Sequence, residues 1–233
     1  MRWRCIACGA VADIPARPAY CMRCDAHCSY YPQVQSPAPA PPRQRPMRAS
    51  DLGGLRYAAA IGRGWTDVIG QVGRPLRVLA WGPAGTLKTT RVLDLAEGIA
   101  DGWGGDVLYL AADEGRDSVS FRDKLARGEI VKTMVMSGGW RDLADELGRN
   151  RYVAACIDTI NRVGIVPGEA TDYTQSLGVS WLMIAEATKD GDLYRGEAGW
   201  GHWADIVLRF EPTKMVIEKN RYGQAGKEVE HVR

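Results

Sequence analysis

No stretch of this 233-residue chain approaches the ~20 consecutive apolar residues that span a membrane. The opening MRWRCIACG also lacks the apolar core of a secretory signal. Both absences make a cytoplasmic protein without a membrane partner the expectation. No internal repeat is present, so the chain is not a repeat array. The first fifty residues contain no Lys, yet they hold seven Arg against two Asp, a net of +5 that leaves −3 for the rest of a chain whose total is +2. A basic arm on a near-neutral body suits a polyanionic partner; a solvated Arg-rich tail has the same composition. At 45 % hydrophobic and 25 % charged, the chain can build one good core and a small appendage. Six Cys in a cytoplasmic protein point to metal or free thiols before disulfides.

Four of those Cys form C-x2-C-x12-C-x2-C: Cys5, Cys8, Cys21 and Cys24. Two thiolate pairs on tight turns make a closed tetrahedral Zn2+ site, structural and not catalytic. A segment this short has no core of its own, so the metal would supply its folding free energy. His27 and Cys28 lie just beyond, as strays or substitute ligands, and Cys156 reads as core. Residues 1–30 are thus expected to be a four-Cys ribbon. Residues 31–48, YPQVQSPAPAPPRQRPMR, are too rich in Pro and too poor in large apolar side chains to fold, and read as an extended linker. Residues 49–233 form the body.

The body alternates apolar runs with helical patterns. Strands are expected over 76–81, 106–112, 130–136, 152–158 and 179–185, with a closing β-rich run over 205–211, 214–220 and 227–233. Helices are expected from Thr89, where Val92, Leu95, Ala96 and Ile99 share one face, over 115–128 and over 140–149. Strands alternating with helices imply an α/β fold with a mostly parallel sheet, and the closing run implies antiparallel additions at one edge.

The first body strand runs into GPAGTLKTT, residues 82–90. The pattern G-x-x-x-x-G-K-[ST] is nearly met by Gly82, Pro83, Ala84, Gly85, Thr86, Leu87, Lys88 and Thr89, followed by Thr90; Leu87 stands where the last Gly belongs. Such a loop wraps phosphates with backbone N–H groups and adds the positive end of a helix. Lys88 would reach the β- and γ-phosphates of ATP, and the Thr89 hydroxyl would ligate Mg2+. Asp158 closes the apolar run YVAACID, as a Walker B carboxylate on Mg2+ should. Leu87 must adopt the backbone that Gly would, strain the loop, or turn its side chain away. Asp113 and Glu114 follow the second body strand. Either could position the attacking water, Glu114 being the first choice and solvated turn acids the plain alternative.

Two further motifs carry a resemblance. WLMIAEATKDG (181–191) and EKNRYGQAG (218–226) resemble the T-K-[ED]-G turn and K-N-R-[FY]-G signature of the RadA (Sms) branch of the RecA superfamily. A four-Cys ribbon joined to a RecA-like P-loop NTPase core is also that family's layout. The resemblance spans almost the whole chain and is weakest in residues 31–75. It implies a hexameric, ATP-driven motor on single-stranded or branched DNA, active in branch migration and recombination. By this resemblance a carboxylate at the end of the second strand activates water. Lys189 falls in a loop near DNA, and Lys219 and Arg221 act as fingers on ATP bound to the neighbouring subunit. Two cations aimed in trans at a γ-phosphate stabilise developing charge; a pair of exposed strand-end cations is the plain alternative.

The chain departs from the family at Leu87 and at Glu186, where the family carries His, and it has no segment matching the Lon-protease-like domain. GPAGTLKTT, DVLYLAADEG and residues 195–210 also resemble compact RepA-like helicase ATPases of phages and plasmids, and DnaB-type helicases carry a related K-x-R-x-G element. Arg162, Lys189 and Arg195 are the expected DNA contacts, with Arg43, Arg45 and Arg48 adding salt-dependent phosphate contacts. No recognition helix is evident, so binding without sequence choice is expected. Trp200 and Trp203 could stack on bases but read better as core. A non-enzymatic alternative is a nucleotide-switched module recruiting DNA or a recombination or replication protein.

Overall fold

The computed structural model describes residues 59–231 apart from 192 and 197–198, and the backbone of three strands near the start of the chain. The chain divides into two units, Met1–Leu55 and Arg56–Arg233. In the first unit β1 (Arg2–Cys5) pairs antiparallel with both β2 (Val11–Asp13) and β3 (Tyr30–Pro32). Cys8, Cys21 and Cys24, the linker residues 33–48 with Arg43, Arg45 and Arg48, and both His27 and Cys28 lie outside the described residues, and the expected ribbon site with them.

Among its described residues the second unit is built on eight strands: β4 (Arg77–Gly82), β5 (Val107–Ala111), β6 (Thr133–Met136), β7 (Ala154–Asp158), β8 (Ser180–Glu186), β9 (Ile206–Phe210), β10 (Lys214–Asn220) and β11 (Glu228–Glu230). They form one sheet in the order β11-β10-β9-β4-β8-β7-β5-β6. All neighbours from β9 to β6 are parallel; β10 and β11 run antiparallel. The mostly parallel sheet with an antiparallel edge is the architecture the alternation implied. The closing run is not wholly antiparallel, however: β9 pairs parallel with β4.

The parallel strands are apolar on both faces because helices cover both. Val78 and Ala80 of β4 face one core with Tyr109, Cys156 and Leu182. Leu79 and Trp81 face the other with Leu110, Ile157 and Met183. This period of two is what a pleated strand imposes. On the first face lie α1 (Trp65–Ile69), α2 (Lys88–Trp103) and α3 (Val119–Arg127), contributing Trp65, Leu95, Ile99 and Phe121. On the second lie α4 (Trp140–Arg149), the short α5 (Ile160–Val163), α6 (Pro167–Leu177) and α7 (Gly199–Trp203). Trp200 and Trp203 of α7 are buried in that second core at a ring separation of 5.0 Å, so the core reading of both holds. Cys156 is buried as well, and its thiol is pushed up by that burial.

Candidate nucleotide site

The site is built at the carboxyl ends of β4, β5, β7 and β8. Parallel register aligns these ends, pairing Gly82 with Glu186, Ala111 with Asp158, and Asp158 with Ile184. The chain leaves β4 at Gly82 with φ 154°, beside the end of β9. A Cβ there would stand 2.3 Å from the Phe210 carbonyl oxygen, so only Gly lets the loop start at this point. Gly85 follows in the left-handed region at φ 77°. The buried Thr86 hydroxyl donates to the Pro83 carbonyl at 2.8 Å and closes the turn.

Leu87 resolves the question its position raised. It takes φ 62° and ψ 16°, the left-handed backbone, immediately before α2. The residue is 40 % exposed and belongs to neither core. The loop therefore keeps a Gly-like backbone at a steric cost of ~1 kcal/mol. Lys88 then opens the sixteen-residue α2, and its ammonium donates to the Pro83 carbonyl at 2.5 Å. Burial holds the Lys88 amine below its ordinary value, while the charges of Asp158, Glu186 and Asp113 oppose that shift. A lysine among three carboxylates at a helix start sits in a field that favours a bound phosphate only if a divalent cation offsets the acids.

The Thr89 hydroxyl donates to Asp158 Oδ2 at 2.7 Å. The buried Tyr109 hydroxyl donates to the same oxygen at 2.8 Å. Burial raises the Asp158 carboxyl above its ordinary value, and these two donors act against the shift. A hydroxyl and a carboxylate in contact, both hard oxygen donors, at the mouth of a phosphate-type loop, fit Mg2+. The residues thus suit the two groups expected here, a nucleoside triphosphate and its Mg2+.

The expected water-positioning residues stand at the same edge. The Asp113 amide donates to the Asp158 carbonyl at 3.0 Å, and its carboxylate pairs with Arg162 at 3.0 Å. Glu114 accepts from Ser120 at 3.0 Å and pairs with Lys124 of α3 at 2.6 Å. Arg162, Lys189 and Arg195 all belong to segments that follow β7 and β8, so this edge gathers the expected DNA contacts too. Arg195 pairs with Glu186 at 3.0 Å. Asn161, which the sequence did not single out, joins these segments: its Oδ1 accepts from the Glu186 amide at 3.0 Å and its Nδ2 donates to the Arg195 carbonyl at 3.0 Å. Tyr109 was likewise not anticipated; a Tyr inside a buried apolar strand gives no local sign of its partner.

Lys219 and Arg221 stand elsewhere. Because β10 runs against β9, Lys219 pairs in register with Val207 and Asn220 with Ile206, at the amino edge of the sheet. The Lys219 ammonium donates to the carbonyls of Gly201 (2.8 Å) and Ala204 (2.5 Å), at the end of α7. Arg221 pairs with Asp205 at 2.9 Å and keeps a side chain 49 % exposed. The loop of this chain and these two cations therefore occupy opposite edges of one sheet.

No protein-family model matches the chain, and no curated protein matches its sequence. Among solved structures, a KaiC-like protein from the hyperthermophilic archaeon Pyrococcus horikoshii is similar, with a TM-score of 0.56 and 18 % sequence identity over 75 % of this chain and 93 % of that one. The likeness establishes the fold: this chain has a RecA-like α/β core. None of its described helices is long and apolar enough to cross a membrane.

Proposed function

We propose that this chain is an ATP hydrolase that couples turnover to movement on DNA, acting as a ring of identical subunits in recombination, branch migration or helicase-like work. The observation that carries the nucleotide half is the Thr89–Asp158 contact of 2.7 Å at the mouth of the loop. Thr89 and Asp158 would hold Mg2+, Lys88 would take the β- and γ-phosphates, and backbone N–H groups of 82–90 would wrap them. Glu114, or else Asp113, would orient the attacking water. Lys219 and Arg221 would stabilise the transition state on the next subunit, since their own site lies at the far edge. Their surroundings suit an anion from outside. Arg77, Lys219 and Arg221 face one carboxylate, Asp205, which leaves two positive charges unmatched there.

Arg162, Lys189 and Arg195 would meet the phosphates of single-stranded or branched DNA. Zn2+ would be held by Cys5, Cys8, Cys21 and Cys24. The deciding experiment is ATP hydrolysis by the purified protein with and without single-stranded DNA, beside Lys88→Ala and Arg221→Ala. DNA-stimulated turnover lost in both variants supports the motor. Tight nucleotide binding without turnover sinks it.

That second outcome would favour a nucleotide-switched binding module. One observation leans that way: Glu114 and Asp113 are both engaged in ion pairs, with Lys124 and Arg162.

A further inference from the structure

Asp205 is a carboxylate with a 4 % exposed side chain that serves two arginines from distant parts of the chain. Arg77, the first residue of β4, grips it through Nη2 to Oδ1 at 2.7 Å and through Nε to Oδ2 at 3.0 Å, and its backbone amide adds a third bond at 3.1 Å. Arg221 donates to Oδ1 at 2.9 Å, and its backbone amide donates to the Asp205 carbonyl at 3.0 Å. The Asp205 amide returns a bond to the Arg77 carbonyl at 2.8 Å. Both ends of the Arg221 residue are thereby fixed to one aspartate, which is itself fixed to the strand that carries the phosphate loop.

A surface arginine meant only for solvent needs none of this. A side chain half exposed loses several rotatable torsions when held in one geometry, and an exposed ion pair barely offsets that loss. Here the partner is buried and already paired bidentately with Arg77, so Arg221 is oriented by a carboxylate whose own position is fixed. Lys219 sets the other side of the same corner on the carbonyls of Gly201 and Ala204.

We infer that Asp205 is a positioning residue for turnover: it aims the Arg221 guanidinium at the nucleotide of the neighbouring subunit and ties that aim to β4. The inference rests on the trans role proposed for Arg221. It adds a route. β4 is six residues long, ~20 Å of extended backbone. It begins at Arg77 beside Asp205 and ends at Gly82, where the loop starts. A single rigid strand thus connects the nucleotide a subunit holds with the arginine it offers its neighbour.

The test is Asp205→Asn in the full chain, which keeps the size and one acceptor but loses the charge. The expected result is a fall in ATP turnover of tenfold or more, with nucleotide affinity unchanged within twofold. Complementation separates aiming from folding. Co-assembly of Asp205→Asn with Lys88→Ala, which has no working loop but an intact arginine, is expected to restore part of the turnover that neither has alone. If Asp205→Asn is insoluble, Asp205→Glu takes its place with the same outcomes. Wild-type turnover in the Asp205 variant while Arg221→Ala is inactive would overturn the inference. So would loss of turnover that co-assembly fails to restore while it does restore Arg221→Ala. If Arg221→Ala itself turns over normally, the trans role has failed and the aiming role falls with it; that outcome is distinct from the other two.

Discussion

Gly82 and Phe210 approach so closely that a Cβ on the glycine would lie 2.3 Å from the Phe210 carbonyl oxygen. The contact joins the start of the phosphate loop to the end of β9, and neither backbone can retreat without disturbing a buried parallel ladder. Gly82→Ala is therefore expected to destabilise the second unit by about 3 kcal/mol and to cost nucleotide binding as well. Denaturant melts of the variant check the first, and titration with a fluorescent ATP analogue the second.

Leu87→Gly should do the reverse. The native backbone at φ 62° suits Gly, and the exposed leucine side chain gives up no core contact. A gain of ~0.5–1 kcal/mol in unfolding free energy is expected, with turnover kept. A loss of stability in the same melts would mean that the leucine makes a compensating contact in solution.

Asp158 carries a pH signature. Burial raises its carboxyl above the ordinary 3.8, more than Thr89 and Tyr109 lower it. The folded chain thus holds this proton more tightly than the unfolded chain. That stability is fully present below 3.8 and is lost as pH rises through the raised value, so at neutral pH the ionised group is a cost. Asp158→Asn keeps an acceptor for both hydroxyls. It is expected to stabilise the unit at pH 7, to show a shrinking gain as pH falls toward 4, and to abolish Mg2+-dependent turnover. Unfolding curves at several pH values, beside an ATPase assay, test all three.

The two carboxylates after β5 can be ranked. Glu114→Gln is expected to lower turnover ~100-fold or more without changing nucleotide affinity, and Asp113→Asn to have the smaller effect. Equal losses, or a larger one at Asp113, would reassign the water-positioning role.

Much of the sheet was legible because buried parallel strands read as plain apolar runs. Each expected strand of the body matched an observed one to within a few residues, and α2 announced itself by the face that Val92, Leu95, Ala96 and Ile99 share. On the second face α4 was expected at its observed bounds, but α5, α6 and α7 gave no such signal. In α6, PGEATDYTQSL, only Ala170 is fully buried, so there is no apolar stripe to find. In α7 two glycines weaken the helix, and tertiary contacts of Trp200 and Trp203 hold it. Within the site, the loop residues and Asp158 could be found because backbone chemistry demands them at fixed spacing. Arg77 and Asp205 could not: they lie 128 positions apart, and only the β4–β9 pairing brings them together. Tyr109 and Asn161 were hidden for the same reason.

The reversal of β10 has a consequence for how activity would scale. Had that strand run parallel to β9, it would have delivered Lys219 and Arg221 to the edge where its own loop lies, and one chain could have been self-sufficient. Antiparallel, it hands them outward. Under the proposed function, specific activity would then depend on protein concentration, vanishing on dilution below the assembly threshold and rising steeply through it. The direction of one strand, next to the edge of the sheet, would set whether the enzyme works as a solitary molecule or only in company.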